Sequence, residues 1–281
     1  MNLRVWLNGA LLPSDKATVP ISDRSWMYGD GLFETLRIHQ GLPFRWNDHW
    51  TRWNSGAQLI RLPVPYSESV VRSALSTIID ANQVSNGIAR LHLSRGSGIR
   101  GYSVVGTHSP SLAITATADD QTPEYLSVTL HLSTVRLPSG DTLGKFKTAS
   151  KLPIILAQIE ADEAGASAAL LTDTEGMVAT SSRGNLFWID GSNTVVTPPL
   201  STGALDGVTR SVVIEICRDL NIRFEEDRQL PPSLFQQAGV FITSSGFGLA
   251  PVVALNGSSL PASPLLDRLR AEYRLLLERV A

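Results

Sequence analysis

GKFKTASKLPIILAQIEADEAGA, residues 144–166, sets three lysines directly before an apolar helical pattern. Leu152, Ile155, Leu156 and Ile159 recur at spacings of three and four, which predicts a helix from about Ser150 to Glu163 with these side chains as its apolar face. A lysine at a strand end, just before a helix, is placed to face a cleft. Its amine can form a Schiff base where the surroundings lower its pKa. Lys145, Lys147 and Lys151 all stand in that position, and solvated lysines at a strand–helix junction show the same pattern.

Downstream, short apolar runs at 168–172, 177–181, 185–189 and 193–197 read as strands punctuated by turns at 173–176 and 190–191. A helix is expected at 207–219, strands at 240–243 and 250–255, and a closing amphipathic helix at 265–280. In that last helix Leu265, Leu269, Tyr273, Leu276 and Val280 are expected to point inward. Upstream, strands are expected at 4–7 and 33–38, with Asn8-Gly9 and Gln40-Gly41 as turns. A helix follows from Asn47 as N-cap, with Trp50, Trp53, Ala57 and Ile60 as its stripe and His49 packed between tryptophans. A second helix fits Ser67–Ala81, carrying Val70, Val71, Leu75, Ile78 and Ile79. Strand-like runs at 88–93, 112–117 and 126–132 complete an α+β first half, two helices on an antiparallel sheet. The polar stretch ADDQTPEY marks a change of domain. The organisation expected is a small N-terminal α/β domain at 1–119, a linker at 120–128 and a larger domain at 129–281 that carries the lysine segment.

Composition narrows the function. The chain has 281 residues, 43% apolar and 18% charged, with a formal charge of −2, as in ordinary globular proteins. Lys and Arg are scattered singly, which argues against nucleic acid and against a membrane surface. The first residues lack a signal-like apolar run, and no stretch is long and apolar enough to span a bilayer. A single cysteine, Cys217, fits a reducing, cytoplasmic setting and reads as a core residue. The five histidines (39, 49, 92, 108 and 131) have no metal-ligand spacing, so no metal is expected.

Two loops have the character of phosphate sites. In STGALDGVTR the helix expected at 207–219 opens at Gly207-Val208-Thr209, where free N–H groups and the positive dipole end suit an anion. In ITSSGFGLAP, Ser244, Ser245 and Gly246 follow a strand and can add donors. Neither matches a mononucleotide or dinucleotide pattern, which leaves a ligand with one phosphate, or plain turns.

Taken in order, SDRSWMYGDGLFETLRI (22–38), HWTRW (49–53), KTASKLPIILAQIEADEAGA (147–166), GNLFWI (184–189), TPPLSTGALDGVTR (197–210), FITSS (241–245) and SGFGLAPVVALNG (245–257) resemble the fold-type IV pyridoxal-phosphate enzymes. That class IV aminotransferase family includes branched-chain and D-amino-acid aminotransferases and aminodeoxychorismate lyase. The resemblance implies two α/β domains with the cofactor in the cleft between them, and a homodimer. It makes Lys147 the Schiff-base lysine and Arg52 a phosphate ligand. Gly207, Val208 and Thr209 would grip the phosphate at the helix start, with Ser244, Ser245 and Gly246 from the other loop. Tyr28, in MYGDG, resembles the family's tyrosine on the substrate side.

One position departs from the family. Its aminotransferases carry a glutamate five residues before the asparagine of the NLF segment, paired with the pyridine nitrogen. Here that residue is Thr180. A hydroxyl carries no charge to hold a proton on the ring, and a less protonated ring is a weaker electron sink. Transamination needs that sink more than an elimination that makes an aromatic product. LHLSRGSGIRGY (91–102) resembles the SRGxGxRGY stretch of aminodeoxychorismate lyases, whose substrate has an amine and two carboxylates. Arg100 and Tyr102, with Arg95 behind them, are the candidate grips. The expected reaction releases pyruvate from 4-amino-4-deoxychorismate and leaves 4-aminobenzoate, a folate precursor. The alternatives are a transaminase of D- or branched-chain amino acids, and a homologue that binds the cofactor without catalysis.

Overall fold

The computed structural model describes residues 3–107, 109–119 and 126–279. The chain forms two compact units: residues 1–120 with 146–151 and 277–281, and residues 121–145 with 152–276. Of the linker expected at 120–128, residues 120–125 lie outside the described residues, as do His108 and Val280, and Val128 opens a strand.

The first unit is an antiparallel six-stranded sheet in the order β2-β1-β6-β5-β3-β4. Its elements are β1 Arg4–Leu7, β2 Ala10–Pro13, α1 Arg24–Tyr28, β3 Gly31–His39, β4 Leu42–Pro43, α2 Trp46–Leu59, α3 Glu68–Ala81, β5 Gly87–Ser94 and β6 Ser111–Ala118. Alternation along the strands turns Leu32, Leu36 and Ile38 of β3, Leu91 and Leu93 of β5, and Leu112 and Ile114 of β6 into one core. Trp46, Trp53 and Ala57 of α2 and Val71, Leu75, Ile78 and Ile79 of α3 close it. The expectation of two helices on an antiparallel sheet therefore holds, but the run expected at 126–132 does not join this sheet and pairs in parallel within the second unit. Asn47 is not the cap of α2: the helix begins one residue earlier, after Arg45 in a left-handed conformation (φ 56°). Val70 faces solvent, and the second buried face of α2 is polar, made by His49 and Arg52.

The second unit holds β7 Val128–Leu137, α4 Leu152–Glu163, β8 Ala168–Asp173, β9 Val178–Ser181, β10 Asn185–Ile189, β11 Val195–Thr197, α5 Val208–Asp219, β12 Phe224–Glu226, β13 Gly239–Ser244, β14 Gly248–Leu255, β15 Ser258–Ser259 and α6 Pro264–Glu278. Eight strands run β12-β11-β10-β13-β14-β7-β8-β9, with β15 on β14. Trp188, Leu186, Ile242, Val252 and Leu170 lie at the centre of its core. Cys217 is buried in α5, and burial pushes its thiol up to about 11. It should resist a thiol reagent in the native protein and react only in denaturant, as a colorimetric thiol assay would read.

Three expectations change. The stripe of α6 is Leu266, Leu269 and Tyr273, with Leu265 and Leu276 only half-buried. In α4 the side chains expected inward point out: Leu152 is 74% exposed and Ile155, Leu156 and Ile159 are also exposed. Ala157 and Ala161 face Ala169 and Leu171 of β8 instead. The helix is apolar nearly all round, so spacing alone selects no face, and small alanines allow the closest approach to a sheet. Finally, Phe146–Lys151 belongs to the first unit rather than to the second. The cause is backbone pairing along β3, with Lys147 O accepting from Phe33 N and Gly31 O accepting from Ala149 N, both at 2.9 Å.

No helix among the described residues is long and apolar enough to cross a membrane. No group of three or more His, Cys, Asp or Glu side chains among them is arranged to hold a metal ion.

Candidate active site

The edge pairing with β3 presents the half-buried Lys147 amine 4.7 Å from the centre of the Phe33 ring. The Arg90 guanidinium sits 3.9 Å from the same ring. Burial is the main force lowering the Lys147 pKa, to about 8, followed by the positive charge of Arg52, with Glu34 opposing. At pH 7 roughly a tenth of such amines are unprotonated, against less than about a thousandth for an ordinary lysine. The lysine is thereby a nucleophile at neutral pH.

Beside it lies a buried polar cluster. Glu34 accepts from Nε of Arg52 at 2.8 Å, from its Nη2 at 2.5 Å, and from Nδ1 of His49 at 2.7 Å. Burial alone would raise the Glu34 carboxyl, but the Arg52 charge and the bonds from both partners carry it down to about 2. His49 is pushed down, chiefly by burial, so Glu34 is an anion and His49 is neutral. Sequence reasoning missed Glu34 and His49. The signal was available: Glu34 is the one charge in the inward stripe Leu32, Leu36, Ile38, and His49 precedes Arg52 by one helical turn.

The loop after β5 corrects the substrate assignments. Arg95 is buried, and its donors are taken by Asp30 Oδ2 at 2.8 Å and by the carbonyls of Arg61 and Ile60 at 2.9 Å each. It ties the end of α2 to Asp30 and is not available to a substrate. Arg24, which sequence reasoning passed over, is buried against Asp30 as well and donates to Gly101 O at 2.8 Å. Tyr28 Oη accepts from Gly101 N at 3.1 Å, and its ring meets Tyr102 edge-on at 5.7 Å. Gly101 has φ +106°, which a side chain disfavours. Arg100 and Tyr102, on either side of this clamped glycine, are exposed, Tyr102 by 88%.

In the second unit the two phosphate-type loops lie at one end of the sheet. Asn185 pairs with Thr243 across β10 and β13, directly before Ser244, Ser245 and Gly246. Asn185 also donates to Leu205 O at 2.8 Å, and a Cβ on Gly207 would lie 2.0 Å from its Oδ1. Only glycine fits there. Gly207 is the N-cap of α5 and offers no side chain to the helix's first amides, those of Val208 and Thr209. Gly246 N donates to Ser244 Oγ at 3.0 Å. Thr243 Oγ1 is buried with no hydrogen-bond partner among the described residues. Thr180 lies at the same end, and its hydroxyl donates to Gly184 O at 3.0 Å. An uncapped helix start, a glycine cradle and an orphaned hydroxyl fit a phosphate. A depressed lysine in the first unit fits an aldehyde.

A model of the amino-transferase class IV family matches residues 31–255. The chain belongs to that family. Among class IV relatives it is 29% identical over 274 residues to an aminodeoxychorismate lyase from Vibrio harveyi, covering 94% of this chain and 97% of that one. It is 28% identical over 263 residues to a D-alanine aminotransferase from Bacillus licheniformis, covering 92% and 90%. A solved T.th. branched-chain amino acid aminotransferase with pyridoxamine 5'-phosphate superposes with a TM-score of 0.91 at 26% identity, covering 100% of this chain and 94% of that one. Class IV membership makes the protein a pyridoxal-phosphate enzyme of fold type IV.

Proposed function

We propose that this enzyme is a lyase that converts 4-amino-4-deoxychorismate to 4-aminobenzoate and pyruvate. The observation that carries the reading is Thr180. The hydroxyl proton at this position is spent on Gly184 O, so the residue offers a ring nitrogen only an uncharged acceptor. Bound pyridoxal phosphate supplies an aldehyde for a substrate amine and an electron-withdrawing ring that acidifies the adjacent C–H. Lys147 carries the cofactor. Val208, Thr209, Ser245 and Gly246 take its phosphate, and Arg52 contributes charge that it shares with Glu34. Once the substrate amine has displaced it, Lys147 Nζ takes the proton from the ring carbon bearing nitrogen. It returns a proton to the departing enolpyruvyl carbon as the ring becomes aromatic.

Two substrate carboxylates need cations. Arg90, an exposed side chain whose guanidinium lies over the Phe33 ring beside Lys147, is one, and Arg100 is the other. Tyr28 orders the loop that carries Arg100 through Gly101. Protein loaded with pyridoxal phosphate should release pyruvate and fluorescent 4-aminobenzoate in equal amounts from aminodeoxychorismate. Absence of both products rejects the lyase. The likeness to a D-alanine aminotransferase, nearly equal in identity, favours transamination as the second reading. It is supported instead if D-alanine with a keto acid yields pyruvate and no 4-aminobenzoate forms.

The enzyme acts as a homodimer in this reading, and the exposed stripe Leu152, Ile155, Leu156 and Ile159 of α4 supports it. Ile155→Asp should halve the mass seen by light scattering after size exclusion. An unchanged mass removes α4 from the interface. The lone buried thiol suits the reducing cytoplasm, where we place the enzyme.

A further inference from the structure

We propose that Glu34 is a positioning residue whose carboxylate aims Arg52 and sets the charge state of the Lys147 amine. The inference rests on the reading that Lys147 carries the cofactor. Consecutive residues of β3 divide the work. Phe33 bonds the Lys147 backbone and puts its ring under the amine, while Glu34 points to the other side, into α2. There its two oxygens accept a forked pair from Arg52 and a third bond from His49. A fork fixes the plane of a guanidinium as a single bond does not. His49, one turn before Arg52 on the same helix, holds the carboxylate from the side.

The charges make the cluster more than a brace. Those acting on Lys147 are Arg52, Glu34, Lys151 and Arg90. Glu34 is the one anion among them, and neutral His49 leaves its charge intact. Arg52 and Glu34 together are electrically neutral. Without the carboxylate, an uncompensated buried cation faces the amine and disfavours its protonation. With the carboxylate, the amine keeps a pKa near neutrality rather than falling well below it.

The test uses the full-length chain without cofactor. Trinitrobenzenesulfonate labelling at Lys147 is followed from pH 6 to 10 by peptide mass mapping. Glu34→Gln should move the labelling midpoint down and speed modification at pH 7 about fivefold. Arg52→Gln should move it up. Glu34→Asp keeps the charge but shortens the reach, so the midpoint should return while pyridoxal-phosphate affinity stays about tenfold weaker. Should Glu34→Gln not fold, the upward move in Arg52→Gln and the split in Glu34→Asp decide the matter. Midpoints that stay at the wild-type value in the folded variants overturn the proposal. If the wild-type chain labels at Lys147 but loads no pyridoxal phosphate there, the functional reading falls instead, and the midpoints still decide the role of Glu34.

Discussion

Lys147→Ala should lower kcat for pyruvate release by at least about 10³-fold, because in the proposed reaction one side chain anchors the cofactor and moves the proton. The fold should survive. Lys147 is tied to β3 through its backbone carbonyl, which alanine retains, and the lost side chain is only half-buried beside Phe33. Circular dichroism should match wild type. Borohydride reduction of the loaded protein should tag the Lys147 peptide in wild type and no peptide in the variant. Retention of a tenth of the activity would remove Lys147 from the reaction, and a tag on Lys145 or Lys151 would move the site.

The largest stability effect is expected at Glu34. Glu34→Ala leaves the Arg52 guanidinium buried with its carboxylate partner gone, and His49 loses its acceptor. Breaking a buried ion pair from one side costs about 3–5 kcal/mol, measurable by urea denaturation with unchanged slope. The same carboxylate makes stability fall in acid. Its folded pKa, about 2, lies below the unfolded value near 4.5. The contribution is therefore complete above about pH 4.5 and is lost as the pH falls toward 2. Wild type should lose about 3 kcal/mol across that window, and a variant without the carboxylate should lose less. Equal acid sensitivity of the two proteins would contradict the ion-pair assignment.

Much of the fold was legible because its cores follow short periods. Val71, Leu75, Ile78 and Ile79 recur by helical turns, so the inward face of α3 comes from spacing, and Leu32, Leu36 and Ile38 alternate along β3 in the same core. α4 was misread because Leu152, Ile155, Leu156 and Ile159 compete with Ala157 and Ala161, and periodicity cannot weigh bulk against closeness of approach. Arg95 was misread for a different reason. A loop arginine has the same letters whether it meets solvent or three acceptors, and the acceptors here come from Asp30, Ile60 and Arg61. The residues at the start of α5 stood out because Gly207 and the hydroxyl residues of the second loop have a local chemistry of their own.

What the sequence determined by itself was local: the strands, the helices, a lysine poised before a helix, and a threonine where the resemblance to the family's aminotransferases implies a glutamate. Tertiary structure decided which charges meet. Glu34 and Arg52 are eighteen residues apart in the chain, and Lys147 pairs with a strand more than a hundred residues before it. A pKa depends on distances through space and on desolvation, and neither is a property of neighbours along the chain.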